Sequence, residues 1–187
     1  DAMDVDWRIR QDVFVTQYHH EVDRWDDGFN PNVRATYDSA LMTPMEDIAR
    51  ARGRQMELIR DFQSLTDTYD AILCPGVSVS PFPWADLFPK VIDDKPVENY
   101  MAWLTLTAAI TVIGHPVVAL PAGLDEFGMP FGLQVIGRTY ADRRLLSVAK
   151  ALEAGFADDP LTARPVPDLE ALAASDVDLQ DVSDTME

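Results

Sequence analysis

The sequence predicts an α/β fold, a mixed sheet flanked by helices on both faces, and three observations carry that expectation. Short apolar runs at 71–74, 117–120 and 131–136 have strand length and are bounded by proline or glycine. Longer stretches around them repeat apolar residues at helical spacing. Within residues 98–152 the order is helix, strand, loop, strand, helix, and elements alternating in this way bury their apolar faces as helices against a sheet.

Residues 6–25 place Trp7, Arg10, Phe14, Tyr18 and Val22 on one stripe, an amphipathic helix ending near Asp26, Asp27 and Gly28. A loop over 28–32 and a short helix over 33–41 follow. Thr43, Pro44 and Glu46 then read as N-cap, first-position proline and third-position glutamate, a capping box that opens a helix reaching about Leu65. Its expected inward residues are Met45, Ile48, Met56, Ile59 and Phe62, with Arg50, Arg54 and Arg60 facing water.

The run 71–74 reads as a buried strand that Pro75 and Gly76 stop. Residues 77–96 are rich in proline and poor in helix formers, an irregular excursion longer than ordinary connections. Its Phe82, Trp84, Leu87 and Phe88 either cover a pocket or pack on neighbouring elements.

Residues 98–111 put Met101, Leu104, Ala108 and Thr111 at helical spacing, and Gly114 supplies the stop. The run 117–120, flanked by Pro116 and Pro121, suits a strand covered on both faces. Turn chemistry over 121–130 leads to a second strand, 131–136. Asp142 is placed to cap a last helix with Leu145, Leu146, Ala149 and Leu152 inward. Beyond Gly155 the chain is expected to extend through Pro160, Pro165 and Pro167. Residues 169–187 are acidic and lack aromatics, a mobile tail with a short helix near 168–174. The expected organisation is therefore one domain portion over 1–168 and a tail over 169–187.

Composition narrows the function classes. A chain of 187 residues can bury a true core. Its 32 acidic against 15 basic residues give a net charge of −17, and this repulsion excludes a nucleic-acid partner. The acids are 24 Asp to 8 Glu and the bases 12 Arg to 3 Lys, which fits either a salt-adapted cytoplasm or a GC-rich genome. Cys74 is the single cysteine, so no intrachain disulfide forms. No run reaches the roughly 18 apolar residues of a membrane span, and residues 1–6 have no signal-peptide pattern. The expected location is cytoplasmic and no membrane partner is expected. The first residue is Asp1 rather than Met, so the natural start is expected upstream.

Three segments carry a resemblance. Residues 114–123 (Gly-His-Pro-Val-Val-Ala-Leu-Pro-Ala-Gly), 128–137 (Gly-Met-Pro-Phe-Gly-Leu-Gln-Val-Ile-Gly) and 145–153 (Leu-Leu-Ser-Val-Ala-Lys-Ala-Leu-Glu) resemble, in order and spacing, the C-terminal region of the amidase signature family. Residues 69–75 resemble the preceding strand, so the likeness spans roughly 30–168. It implies a C-terminal portion of a serine amidase whose complete members are over twice this length. Their chemistry uses a nucleophilic serine, a second serine joined by a cis peptide and a lysine, and lies in the part that would precede Asp1.

The residues agree with that division of labour. The nucleophile of such enzymes sits in a run of paired glycines and serines that aims amide N–H groups at the oxyanion. Here no two glycines are adjacent, and Lys90, Lys95 and Lys150 stand beside no such run. No catalytic residue is assigned. Nor is there a Gly-x-Ser-x-Gly, and Ser78 and Ser80 lie in a proline-bounded segment. His19 and His20 are neighbours whose side chains diverge by about 100° on a helix, unlike a metal-binding i, i+4 pair. Cys74 reads as a buried inert thiol, and Asp93 with Asp94 as solvated.

What the resemblance implies for this portion is substrate selection. The helix before the Gly-x-Pro turn lines the acyl side of the site in the family, which points to Trp103, Thr107, Ile110 and Thr111 as substrate-binding residues. The alternative is that Trp103 and Ile110 are simply core. The A-type subunits of amidotransferases look to carry an acidic residue near the start of this helix to hold a substrate ammonium. This chain has Leu104 there, where an unpaired buried charge is costly, so a neutral or hydrophobic amide is favoured.

No metal or cofactor is implied. The expected partners are the missing N-terminal portion of the same enzyme and a small-molecule amide, with a homodimer left open. Two rival readings remain, a non-catalytic binding module and an amidotransferase A-type subunit.

Overall fold

The computed structural model describes residues 1–25, 30–83, 86–97 and 100–175. Expectations for Gly28, Trp84, Glu98 and the tail from 176 onward lie outside the described residues. The chain divides into two compact units, 1–68 with 107–115, and 69–106 with 116–187.

The first unit is helical. Helix α1 (Ala2–Tyr18) ends before Val22, which belongs to a separate 3-10 turn, Val22–Arg24. Its most buried positions are Val5, Asp6 and Gln11, off the expected stripe. The stripe instead forms a run of tilted and edge-on rings, Phe14 on Tyr18, Tyr18 on Trp25 and Trp25 on buried Tyr37. Asp6 remains buried because Arg10, one turn on, donates to it at 3.0 Å.

Helix α2 (Pro31–Leu41) starts two residues earlier than expected, since Asn30 caps it by accepting from the Asn32 and Val33 amides. Helix α3 (Met45–Thr68) carries a correction. The Thr43 hydroxyl does not cap it; it donates to Gln11 Oε1 at 2.8 Å and Ser39 O at 3.3 Å, and Glu46 pairs with Arg50. The capping box is thus replaced by a tie to α1. Ile59 and Phe62 pack inward as expected, with Val5, Val112 and Ile113, but Met45 and Met56 face outward and Ala51 and Leu58 take inward places. Small Ala51 lets a neighbour approach where a methionine would hold it off.

The second unit is built on a three-stranded sheet in the order β1 (Ile72–Pro75), β5 (Pro130–Ile136), β4 (Val117–Leu124), with both pairings antiparallel. The α/β class holds; among the described residues no parallel pair occurs. Register opposes Leu73 and Val118 to Val135, and Cys74 and Ala119 to Gln134. Helix α5 (Asp142–Ala157) covers β4 and β5 through Leu145, Ala149, Leu152 and Phe156 packed with Leu120 and Val135.

The strands expected to be covered on both faces are not. β4 alternates, with Val117 and Ala119 exposed on one face and Leu120 buried beneath α5 on the other, and Leu73 on β1 is 46% exposed, since α5 lies chiefly over β4 and β5. β4 runs on through Pro121, which an outer strand tolerates since its missing N–H leaves no ladder partner unserved. Gly123 (φ 90°) carries the irregularity between Pro121 and Leu124. Two helix details also differ. The N-cap position of α5 is Ala141 rather than Asp142, and Leu146 is exposed.

The excursion contains a small hairpin, β2 (Val91–Ile92) with β3 (Lys95–Pro96), turned by Asp93 and Asp94, both at positive φ. Those aspartates thus serve a turn of the hairpin type. A short α6 (Leu169–Ala173), capped by Asp168, stands where a helix was expected. No described helix is long and apolar enough to cross a membrane.

Candidate functional site

Helix α4 (Thr105–Ile113) follows a 3-10 turn, Ala102–Leu104, so the helix begins later than 98 and its first turn is tighter than α. Ala108, Val112 and Ile113 are buried, the last two in the core of the first unit, while Thr111, expected inward, is exposed. Its hydroxyl donates to Thr107 O at 2.8 Å, which keeps a polar group satisfied on the helix surface. Ile110 packs against the Val112 and Ile113 cluster. Gly114, at φ 66°, ends the helix by returning its N–H to Ile110 O and Thr111 O, a conformation that favours glycine. His115 is buried with its ring edge-on to Phe62, centroids 4.8 Å apart.

The fourth expected residue, Trp103, belongs to the second unit. Phe82 meets its ring edge-on at 5.5 Å and Tyr100 at 6.5 Å. Among the described residues the buried indole N–H meets no acceptor, and a buried donor left unpaired costs about 1–3 kcal/mol. Thus Thr107, Ile110 and Thr111 share one helix of the first unit, and Trp103 sits in an aromatic cluster of the second.

Phe82 is delivered by the excursion after β1, and two polar side chains hold that excursion to the sheet. Gln134, 7% exposed on β5, donates through Nε2 to Pro75 O at 3.1 Å and to Cys74 Sγ at 3.3 Å. Burial pushes the Cys74 thiol up, with the Gln134 hydrogen bond opposing, so the protonated thiol is favoured at neutral pH. Asp125, in the turn between β4 and β5, accepts from the Ser80 hydroxyl and, at 2.9 Å each, from the Met129 and Phe127 amides. The Ser80 bond first, then those amides, hold its carboxyl below the ordinary value.

Sequence reasoning passed over Gln134 and Asp125. The first was visible as the one polar side chain inside an apolar strand, the second as an aspartate three residues before Gly128. Among the described residues no cluster of three or more His, Cys, Asp or Glu has the geometry of a metal site. His19 and His20 stack on each other at 3.6 Å, with His19 Nδ1 near Val15 O.

A family model described as Amidase matches residues 15–146. The chain belongs to the amidase family. It is 37% identical over 114 residues to the A-type subunit of the glutamyl-tRNA(Gln) amidotransferase of Ruegeria pomeroyi, covering 59% of this chain and 22% of that protein. To the corresponding protein of a Jannaschia species it is 35% identical over 144 residues, covering 72% and 28%. A solved amidase structure superposes with a TM-score of 0.61 at 28% identity, over 74% of this chain and 31% of that one. A bacterial aryl acylamidase of the amidase signature family shares the fold, with a TM-score of 0.65 at 19% identity over 88% and 36%. The amidase chain thus spans about a quarter of the length of the curated relatives it matches.

Proposed function

We propose that this chain is the C-terminal portion of an amidase that hydrolyses linear carbon–nitrogen amide bonds to a carboxylate and ammonia or an amine. In this reading the rest of the enzyme supplies the nucleophilic serine, the second serine and the lysine, and the reaction passes through an acyl-serine. Residues 1–168 supply sheet and pocket wall, and 169–187 an acidic extension; no metal or cofactor is needed, and the enzyme works in the cytoplasm, its acidity fitting either salt adaptation or a GC-rich genome. The observation that carries this is the family match over 15–146. The outer edges of β1 and β4 carry no described strand, and Val117 and Ala119 lie open on the sheet, which suits a chain that joins further protein.

Trp103, Thr107, Ile110 and Thr111 are the proposed acyl-side wall. Replacing Thr107 or Ile110 by Trp in the complete enzyme is expected to change which acyl groups are accepted with little change in melting temperature. Equal slowing of every amide together with a lowered melting temperature would make these residues core and overturn the wall.

A second reading, an amidotransferase A-type subunit, is favoured by the names of the curated relatives. It predicts glutamine-dependent ammonia release with a partner present. Leu104, standing where an acidic residue would hold a substrate ammonium, favours a neutral amide instead. Turnover of neutral aliphatic or aromatic amides without glutamine activity supports the first reading, and the reverse supports the second.

A further inference from the structure

We propose that Gln134 is a positioning residue for acyl-group selectivity, acting through the Pro75 carbonyl on the segment that carries Phe82 to Trp103. This rests on the reading that Trp103 stands in the acyl wall.

Pro75 is the last residue of β1, and the next backbone bond to β5 comes from the Gly76 N–H, so the alternation of the ladder leaves the Pro75 carbonyl outside it just where the chain leaves the sheet. A carbonyl at such an exit needs a donor from elsewhere if it is not to be left to solvent. The Gln134 amide supplies it at 3.1 Å, reaching across from the residue that opposes Cys74 in register. Gly76 N–H then donates to Gly132 O at 2.8 Å. The exit direction is therefore set by two bonds to β5, one from the backbone and one from a side chain.

Seven residues beyond Pro75, Phe82 stands against Trp103 at 5.5 Å. Ser80, between them, is tied to Asp125. A segment this short has little slack, so a shift at Pro75 moves Phe82 against the indole. The Gln134 side chain is buried and polar on a strand of apolar neighbours, which an apolar residue would fill at less desolvation cost were packing its only task. Both its length and its donor are required. Methionine keeps the length and lacks the donor; asparagine keeps the donor and lacks a methylene.

The test uses the complete enzyme and the ratio of kcat/KM for a phenyl-bearing acyl amide to that for a small aliphatic one. Gln134→Met and Gln134→Asn are each expected to change this ratio about tenfold, the worth of one hydrogen bond. The change should reside mainly in KM, with kcat for the small amide held within about twofold. Amide hydrogen exchange over 76–82 should quicken. Phe82→Ala should change the ratio likewise, and the Gln134→Met, Phe82→Ala double variant no further, since both act through one contact.

A normal ratio in both Gln134 variants while Phe82→Ala changes it overturns the role of Gln134 and leaves the acyl wall standing. An unchanged ratio in Phe82→Ala and in Trp103→Ala removes the wall and the proposal with it. Failure of both Gln134 variants to fold assigns the residue to sheet stability and also overturns the proposal.

Discussion

The two units are ordered by different kinds of bond. In the helical unit, side chains join the elements: Gln11 bonds Ser39 and Thr43, Arg52 meets Asp12 at 2.7 Å, and Gln55 donates to Val112 O at 2.7 Å. In the strand unit, backbone ladders place β1, β5 and β4, and side chains such as Gln134 and Asp125 finish the ends. A helix can rotate to suit its partner, as α1 and α3 do relative to their expected stripes. A ladder, once in register, commits every second residue to one face. The helical unit should therefore answer mainly to lost volume, and the strand unit mainly to changed backbone.

The largest loss is expected from Gly123→Val. Gly123 has φ 90°, and a Cβ there would lie 2.0 Å from Leu161 O, a backbone atom with no freedom to swing away. Loss of at least ~3 kcal/mol, or failure to fold, is expected in urea denaturation. A loss below ~1 kcal/mol would show that the backbone of this unit yields after all.

Next comes the helical unit. Ile113, 7% exposed beside Val112, loses packing on truncation, and Ile113→Ala is expected to cost about 3 kcal/mol by the same measurement. Near-neutrality would mean that the helices close over the void and that volume does not govern this unit.

Salt should act on the chain as a whole. A net charge of −17 repels itself, and screening relieves this, so melting temperature is expected to rise by several degrees between roughly 0.1 M and 2 M KCl. Equal midpoints would remove the salt-adaptation idea.

The smallest effect concerns Asp125. Its carboxyl is held below the ordinary value near 3.8, foremost by the Ser80 hydroxyl. The ionised group's contribution is then complete above that value and is lost as pH falls through the lower folded value. Between roughly pH 5 and pH 3 the wild type should lose slightly more melting temperature than Asp125→Asn, whose amide oxygen accepts without titrating. Equal losses would separate Asp125 from the stability of the turn.

Much of the fold was legible. The strands at 72, 117 and 130, the helix ended by Gly114 and the short helix after Asp168 stand close to where apolar runs, glycines and prolines placed them. The site was legible in part. Trp103 could be named from the resemblance, but its edge-on contact with Phe82 joins residues 21 positions apart through a segment with no periodicity. Thr43 shows how a clear local signal can yield: its hydroxyl had a helix end within reach, and a glutamine 32 residues earlier took it.

By itself, then, the sequence determined the kinds of element, their order and the family, because periodicity, turn chemistry and a spaced motif are local and survive any packing. The tertiary structure alone decided which face of α1 and α3 is buried, which side of β4 stays open, and that a strand glutamine 59 residues from Pro75 holds its carbonyl. The physical reason is that a hydrogen bond or a buried face is completed by its partner, and these partners are brought close only by the fold.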